Sequence, residues 1–446
     1  MRTITVSLAA LALLLAPGVA TPAPGAMAAF AGAPASALLA GLALGPADAA
    51  LAAVSVPATA LASPEASAVL AAAPALASPD SAASAPDSAP DSAPDSAPAP
   101  AAPIGGETRA SVYVRSDTDH TTVVSPRVRH RQQLRTPRRV LDVTYSLDAW
   151  SSASVDIRSA ATSTVREIRH EGDLGYREEI GASAISVGYR LSHEPDYLSN
   201  AIRLGYERDL LQRTITLGVR LFGAVDRVGR SGDEHFRELL QSGGALLSAA
   251  FVVTRTTVVQ LAYELRGVHG YQASPYRFVA LDASGPCSAA ATLCVPEEVP
   301  RLRARHAVVG RARQALGSRA SIGATYRFYA DSWALRSHTA AIDLALMPAR
   351  GALIGLEYRA YAQSGASFYR TRYAVGDGLR FYTRDRELSS LGDHRLALRG
   401  LYERPLRRGR FDIGLLIAGS RLQYDGFIGL DRVFALDLTT TLGGAF

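Results

Sequence analysis

Apolar and polar residues alternate with a period of two along most of the chain beyond Glu107. In the last stretch, 432–446, Phe434, Leu436, Leu438, Thr440, Leu442, Gly444 and Phe446 fall on one side of an extended backbone. Val433, Ala435, Asp437, Thr439, Thr441 and Gly443 fall on the other. Leu141, Val143, Tyr145 and Leu147 alternate with Asp142, Thr144, Ser146 and Asp148, and Leu261, Tyr263 and Leu265 with Ala262, Glu264 and Arg266. The same holds for Ile322, Tyr326 and Phe328 against Gly323, Arg327 and Tyr329, and for Ile354, Leu356 and Tyr358 against Gly355, Glu357 and Arg359. Each segment predicts a strand with one oily and one polar face. No apolar run beyond Glu107 is long enough for a transmembrane helix.

A soluble two-sheet sandwich would alternate in the same way, so the connections discriminate better. Short links fall near 135–138, 177–181, 211–213, 254–255, 317, 348–350 and 406–408. Between them lie mostly longer ones at 117–120, 150–163, 194–198, 226–242, 267–301, 332–335, 363–393 and 425–430. Short turns at one end and long loops at the other are the signature of a transmembrane barrel. Counting back from Phe446 gives about sixteen strands, with fourteen as the alternative because the stretches near Ser111 and Val123 are weak. The expected fold is therefore all-β, an antiparallel up-and-down barrel over 107–446, with strands longer than those of soluble sandwiches.

The start of the chain reads differently. Arg2, the apolar run 6–15 and Pro17-Gly18-Val19-Ala20 form a secretory leader over 1–20, with Ala28 and Ala49 as alternative cleavage points. Residues 21–106 are rich in Ala, Pro and Ser and predict a disordered linker. All 47 basic residues are Arg. Residues 1–106 carry 1 − 6 = −5 charges and the remainder 46 − 35 = +11. The excess favours anions or an anionic surface, but no basic run interleaved with aromatics points to nucleic acid.

Several segments are more specific than the alternation: Tyr145-Ser146-Leu147-Asp148, His193-Glu194-Pro195-Asp196-Tyr197, Ser274-Pro275-Tyr276-Arg277, Tyr326-Arg327-Phe328-Tyr329 with Asp331-Ser332-Trp333, and Tyr361-Ala362-Gln363-Ser364 with Phe368-Tyr369. In order and spacing they resemble the bacterial DUF3570 family over roughly 141–446. The resemblance implies an outer-membrane barrel and transfers no activity. The closing strand also resembles those of bacterial outer-membrane barrels, whose last aromatic, here Phe446, is read by the assembly machinery. The partners so implied are outer-membrane lipid and that machinery.

The polar face supplies the candidate chemistry. Arg190, Arg203, Glu207, Arg220, Glu264, Arg266, Arg327, Tyr329, Glu357, Arg359, Arg395, Arg399 and Glu403 are expected to face the lumen. In a water-filled bore they would set solute preference; in a filled one they would pair across strands. Cys287 and Cys294 are expected to form a local disulfide in a long external link, and without nearby His they make a poor metal site. His170-Glu171 and Glu234-His235 put imidazole beside acid without a nucleophile elbow or zinc spacing, so no enzyme, cofactor or metal is expected. Residues 233–241 are read as a short loop helix carrying Phe236, Leu239 and Leu240 on one side, and Trp333, Tyr326, Phe328, Tyr369 and Phe446 as candidates for interfacial aromatic girdles. The expected function is a porin-like channel for small polar or anionic solutes. The alternative is a non-conducting scaffold whose outer loops bind a partner.

Overall fold

The computed structural model describes residues 105–152, 165–282, 287 and 293–446. The expected leader, nearly all of the linker and the segment 153–164 lie outside the described residues.

In chain order the strands are β1 (Gly106–Asp117), β2 (Thr121–Leu134), β3 (Thr136–Ser152), β4 (Val165–Ile180), β5 (Ser183–Glu194), β6 (Tyr197–Leu210), β7 (Ile215–Arg230), β8 (Asp233–Thr254) and β9 (Thr257–Gly270). They continue with the short β10 (Phe278–Ala280) and β11 (Cys294–Pro296), then β12 (Leu302–Leu316), β13 (Ala320–Asp331), β14 (Arg336–Ala349), β15 (Ala352–Gln363), β16 (Ser390–Pro405), β17 (Arg410–Asp425) and β18 (Arg432–Ala445). All but β10 and β11, which form a separate two-stranded ribbon, make one closed antiparallel barrel of sixteen strands. β1 pairs with β18 from Glu107↔Ala445 to Asp117↔Ala435, and the weak stretches near Ser111 and Val123 are β1 and β2. Their sequence signal is thin, but pairing on both sides holds them. Closure satisfies every strand edge, which lipid demands because it offers no hydrogen bonds.

At the end that carries Gly106 and Ala445 the connections are tight: 135, 181–182, 211–214, 255–256, 317–319, 350–351 and 406–409. Backbone of positive φ makes several of these turns. At Gly409 (φ 105) an added Cβ would collide with the Ala445 carbonyl, so only glycine fits. The opposite end carries the longer connections, above all 271–301 and 364–389. Two links expected to be loops there are tighter. The 194–198 link is a turn at 195–196, and that at 226–242 is the extended tip of the β7–β8 hairpin, turning at 231–232.

The helix expected over 233–241 is therefore strand. Phe236 and Leu240 are four apart, a spacing that helices and strands share. Across from β7 the registers Val228↔Glu238 and Arg227↔Leu239 put Leu240 fully inside and leave Leu239 54% exposed outside.

Along the barrel the oily halves point outward: Leu221, Leu356, Leu398 and Leu436 are about half exposed, in a belt of similar residues. Two facing sheets would bury these side chains against each other, so the sandwich is excluded. A belt of this extent is a lipid-facing surface. The densest apolar packing is instead at the long-loop end, in clusters around Leu422, Tyr424, Phe427 and Val433 and around Val299, Trp333, Phe368 and Leu388.

That packing corrects two girdle expectations. Trp333 is buried, with the Arg303 guanidinium 4.1 Å above its ring and its indole N–H donating to the Leu302 carbonyl at 3.1 Å. Tyr369 packs against both loop-end clusters. Each reads as amphipathic in sequence, but the loops fold over them. Tyr326 and Phe328 do stand on the outer face of β13, and Phe446, just past β18, is exposed while its backbone pairs with Gly106.

Candidate functional site, the charged inner wall

The register places Arg190, Arg203, Glu207, Arg220, Glu264, Arg266, Arg327, Tyr329, Glu357, Arg359, Arg395, Arg399 and Glu403 at inward positions. Within this set Arg395 pairs with Glu357 at 3.5 Å and Arg220 with Glu207 at 4.0 Å. Other guanidinium groups of the set pair with carboxylates outside it. Arg190 meets Glu171 at 3.5 Å, Arg203 meets Asp173 at 2.7 Å and Arg359 meets Asp393 at 2.7 Å. Arg266 donates to the Ser242 hydroxyl at 3.2 Å, and Tyr329 donates to Asp331 at 2.8 Å.

The carboxylates of this wall also include aspartates outside the candidate set. Asp437 accepts from the Tyr113 hydroxyl at 2.9 Å and pairs with Arg115 at 3.2 Å and Arg395 at 3.5 Å. Arg303 pairs with Asp331 at 2.5 Å, and Arg313 with Asp343 at 2.6 Å. The alternation that found Arg359 would have found Asp393 and Asp343 as well; their partners, set by pairing between distant strands, were not readable. Arg305 and Arg311, both on the inner face of β12, have no carboxylate partner among the described residues; Arg311 donates to the Thr325 hydroxyl at 3.4 Å.

Several pairs step across an intervening strand. Arg203 on β6 reaches Asp173 on β4 over Gly188 of β5, where a Cβ would stand 2.7 Å from the guanidinium. Arg313 on β12 reaches Asp343 on β14 over Gly323 of β13, where a Cβ would meet both partners. Arg395 on β16 reaches Asp437 on β18 across β17, where Ala418 faces Asp437. Small residues thus let long charged side chains lie along the wall instead of projecting to the axis.

Exposure is graded along the bore. Toward the long-loop end side-chain exposure is 2% and 1% for Arg115–Asp437 and 7% and 0% for Arg303–Asp331, with Arg169–Asp148 more open at 25% and 22%. Toward the terminal end it rises to 35% and 33% for Arg177–Glu207 and 28% and 30% for Arg109–Glu107, with Asp412 a buried exception. Among the described residues the exposed ion pairs put water on the inner wall toward the terminal end.

At the other end the described parts of the long loops pack on one another and on the strand ends. Arg277 lies 3.2 Å from Glu297 and 3.3 Å from Asp385, all three buried, and Glu297 also accepts from the Ser274 backbone N–H at 2.8 Å and from the Thr383 hydroxyl. Burial pushes the Glu297 carboxyl up and Asp385 adds to this, against the pull of Arg277. Two carboxylates share one guanidinium. Burial pushes the nearby Tyr271 phenol up to about 12. Arg386 pairs with Asp119 at 2.6 Å and ties loop 364–389 to the β1–β2 connection. Cys287 and Cys294 form a disulfide in loop 271–301, with Cα atoms 5.8 Å apart.

The His–acid neighbours do not assemble. His170 faces out against the Tyr145 hydroxyl at 2.8 Å, whereas Glu171 faces in toward Arg190. Adjacent strand residues point to opposite faces, so the acid cannot orient the ring. Glu234 and His235 are exposed at a hairpin tip.

A family model described as a protein of unknown function (DUF3570) matches residues 153–243 and 237–403. No curated protein matches the chain in sequence. Among solved structures the chain is similar to CdiB from Acinetobacter baumannii at 9% identity and a TM-score of 0.43, covering 75% of this chain and 60% of that one. It is similar to a bacterial polysaccharide outer membrane secretin at 8% identity and a TM-score of 0.46, covering 76% and 98%. With OprD of Pseudomonas aeruginosa the identity is 8% and the TM-score 0.38, over 77% and 95%.

Proposed function

We propose, for a chain that belongs to the DUF3570 family of proteins of unknown function, that it is an outer-membrane porin-like channel for small polar or anionic solutes, held shut on one side by its own loops. The terminal end of the barrel then lies in the periplasm and the long loops outside the cell, as the turn asymmetry of such barrels requires. The reading assigns no catalysis to the chain.

The observation that carries it is the graded exposure of the wall. Charged side chains lie over Gly188 and Gly323 along the wall, and toward the terminal end ion pairs such as Arg177–Glu207 are about one-third exposed. A sixteen-stranded barrel is wide enough for an aqueous lumen. Arg305 and Arg311 face inward from β12 without an ion pair among the described residues, and positive charge so placed favours anions.

Purified protein in planar bilayers should conduct, and under a salt gradient the reversal potential should favour anions. Arg311→Ser should move it toward cation preference. Insertion with no conductance under any applied voltage, in the intact chain and after shortening of 364–389 alike, contradicts the reading. The buried loop network supports a second reading, a scaffold whose outer loops hold a partner. It would lose partner association, with solute uptake unchanged, on shortening of 363–393.

A further inference from the structure

The outer face carries a repeated polar device that neither the lumen nor the barrel's closure explains. On β3 and β4, Tyr145 meets His170 Nδ1 at 2.8 Å; on β9 and β12, Tyr263 meets His306 Nδ1 at 2.8 Å. On β13 and β14, Tyr326 meets His338 Nδ1 at 2.7 Å; on β15 and β16, Tyr358 meets His394 Nδ1 at 2.8 Å. On β5 and β6, Tyr189 donates to Asn200 at 2.7 Å in the same geometry. Every phenol sits on a strand rising toward the long loops and every partner on the next strand down, near its loop-side start. The five pairs therefore lie at one level, at the upper border of the aliphatic belt. All five phenols are between 37% and 50% exposed, on the lipid-facing side.

Just above this row the outer face turns basic. Arg421 stands opposite His394, Arg432 opposite Gln423, Arg336 two residues before His338, and Arg227 two beyond Val225, which faces Asn200. All four arginines are exposed, as is His193 directly across from His170. Exposed acids at this border are Asp425 at the end of β17 and Asp431 beside Arg432.

We infer that this collar binds the phosphate groups of lipids in the outer leaflet. In the tautomer in which the phenol donates to Nδ1 the proton sits on Nε2, and the imidazole presents an N–H donor at headgroup height. The arginines above supply forked, permanently charged donors suited to phosphate. A basic collar bordering an apolar belt is complementary to an anionic headgroup layer and to nothing in the acyl region. The inference rests on the lipid-facing assignment of the outer belt but not on conduction.

The test is native mass spectrometry of the detergent-solubilised full chain titrated with diphosphoryl lipid A, with phosphatidylcholine as the comparison lipid. Lipid A is expected to bind more tightly than phosphatidylcholine. Combined replacement Arg227→Ser, Arg336→Ser, Arg421→Ser and Arg432→Ser should weaken it by at least about tenfold. His170→Phe with His306→Phe, His338→Phe and His394→Phe should weaken it less, but measurably. The inner-wall variant Arg311→Ser should bind as the parent does, and heat-modifiable gel mobility confirms that each variant is folded. Equal affinity for both lipids, or lipid A binding unchanged in folded arginine variants, overturns the inference. Competition by inorganic phosphate at matched concentration would reassign the collar to free phosphate and overturn it equally.

Discussion

Asp437 shows how much of the inner wall depends on single carboxylates. It is 1% exposed, in contact with Arg115, Arg395 and Tyr113. Removing its charge leaves guanidinium groups buried beside a neutral amide, and an uncompensated buried charge costs more than the pair contributes when intact. Asp437→Asn should therefore lower stability by about 3 kcal/mol, read as a shift in the urea midpoint of unfolding in detergent. At Glu297 the sign with pH is set by burial and Asp385. The folded-state value lies above the unfolded one, so the carboxyl's stabilising share is fully present below the ordinary carboxylate range. It is lost as pH rises through the raised value, when two charged carboxylates face one Arg277. Hydrogen exchange of amides in 271–301 should accordingly be more protected, after correction for intrinsic rates, at about pH 5 than at about pH 8. Glu297→Gln should flatten that difference.

Among the elements, strand alternation told most of the story, because a period of two fixes which side chains share a face whatever the partners are. It identified the oily and polar faces of β3, β9, β13, β15 and β18, and the turn and loop spacing gave the number of strands. It failed where the same spacing serves two structures, as with Phe236 and Leu240, and where tertiary folding hides an amphipathic ring, as with Trp333. It could not give partners either: Arg115 and Asp437 are 322 residues apart, joined only because β1 closes on β18. The lipid-facing assignment is tested on a single strand. Leu398 is 52% exposed on the outer face of β16, and Leu398→Arg should cost about 2 to 4 kcal/mol. The measurement is folding equilibrium into phospholipid vesicles, and a change within about 0.5 kcal/mol would mean that this face meets water.

At the scale of the molecule the barrel is asymmetric in water access. Its loop end is packed with buried aromatics and a shared Arg277, its terminal end lined with half-exposed ion pairs. Loop 364–389 joins these features, holding Asp385 and Thr383 against Glu297 and Arg386 against Asp119. Among the described residues such a barrel combines a polar inner wall with loops packed over one end. The most direct measurement is single-channel conductance of the intact chain against a chain in which 364–389 is replaced by a short Gly/Ser link. Long closed periods in the intact protein and a steady, anion-preferring open current in the shortened one are predicted. Two equally silent, correctly inserted proteins would contradict a bore closed only by its loops.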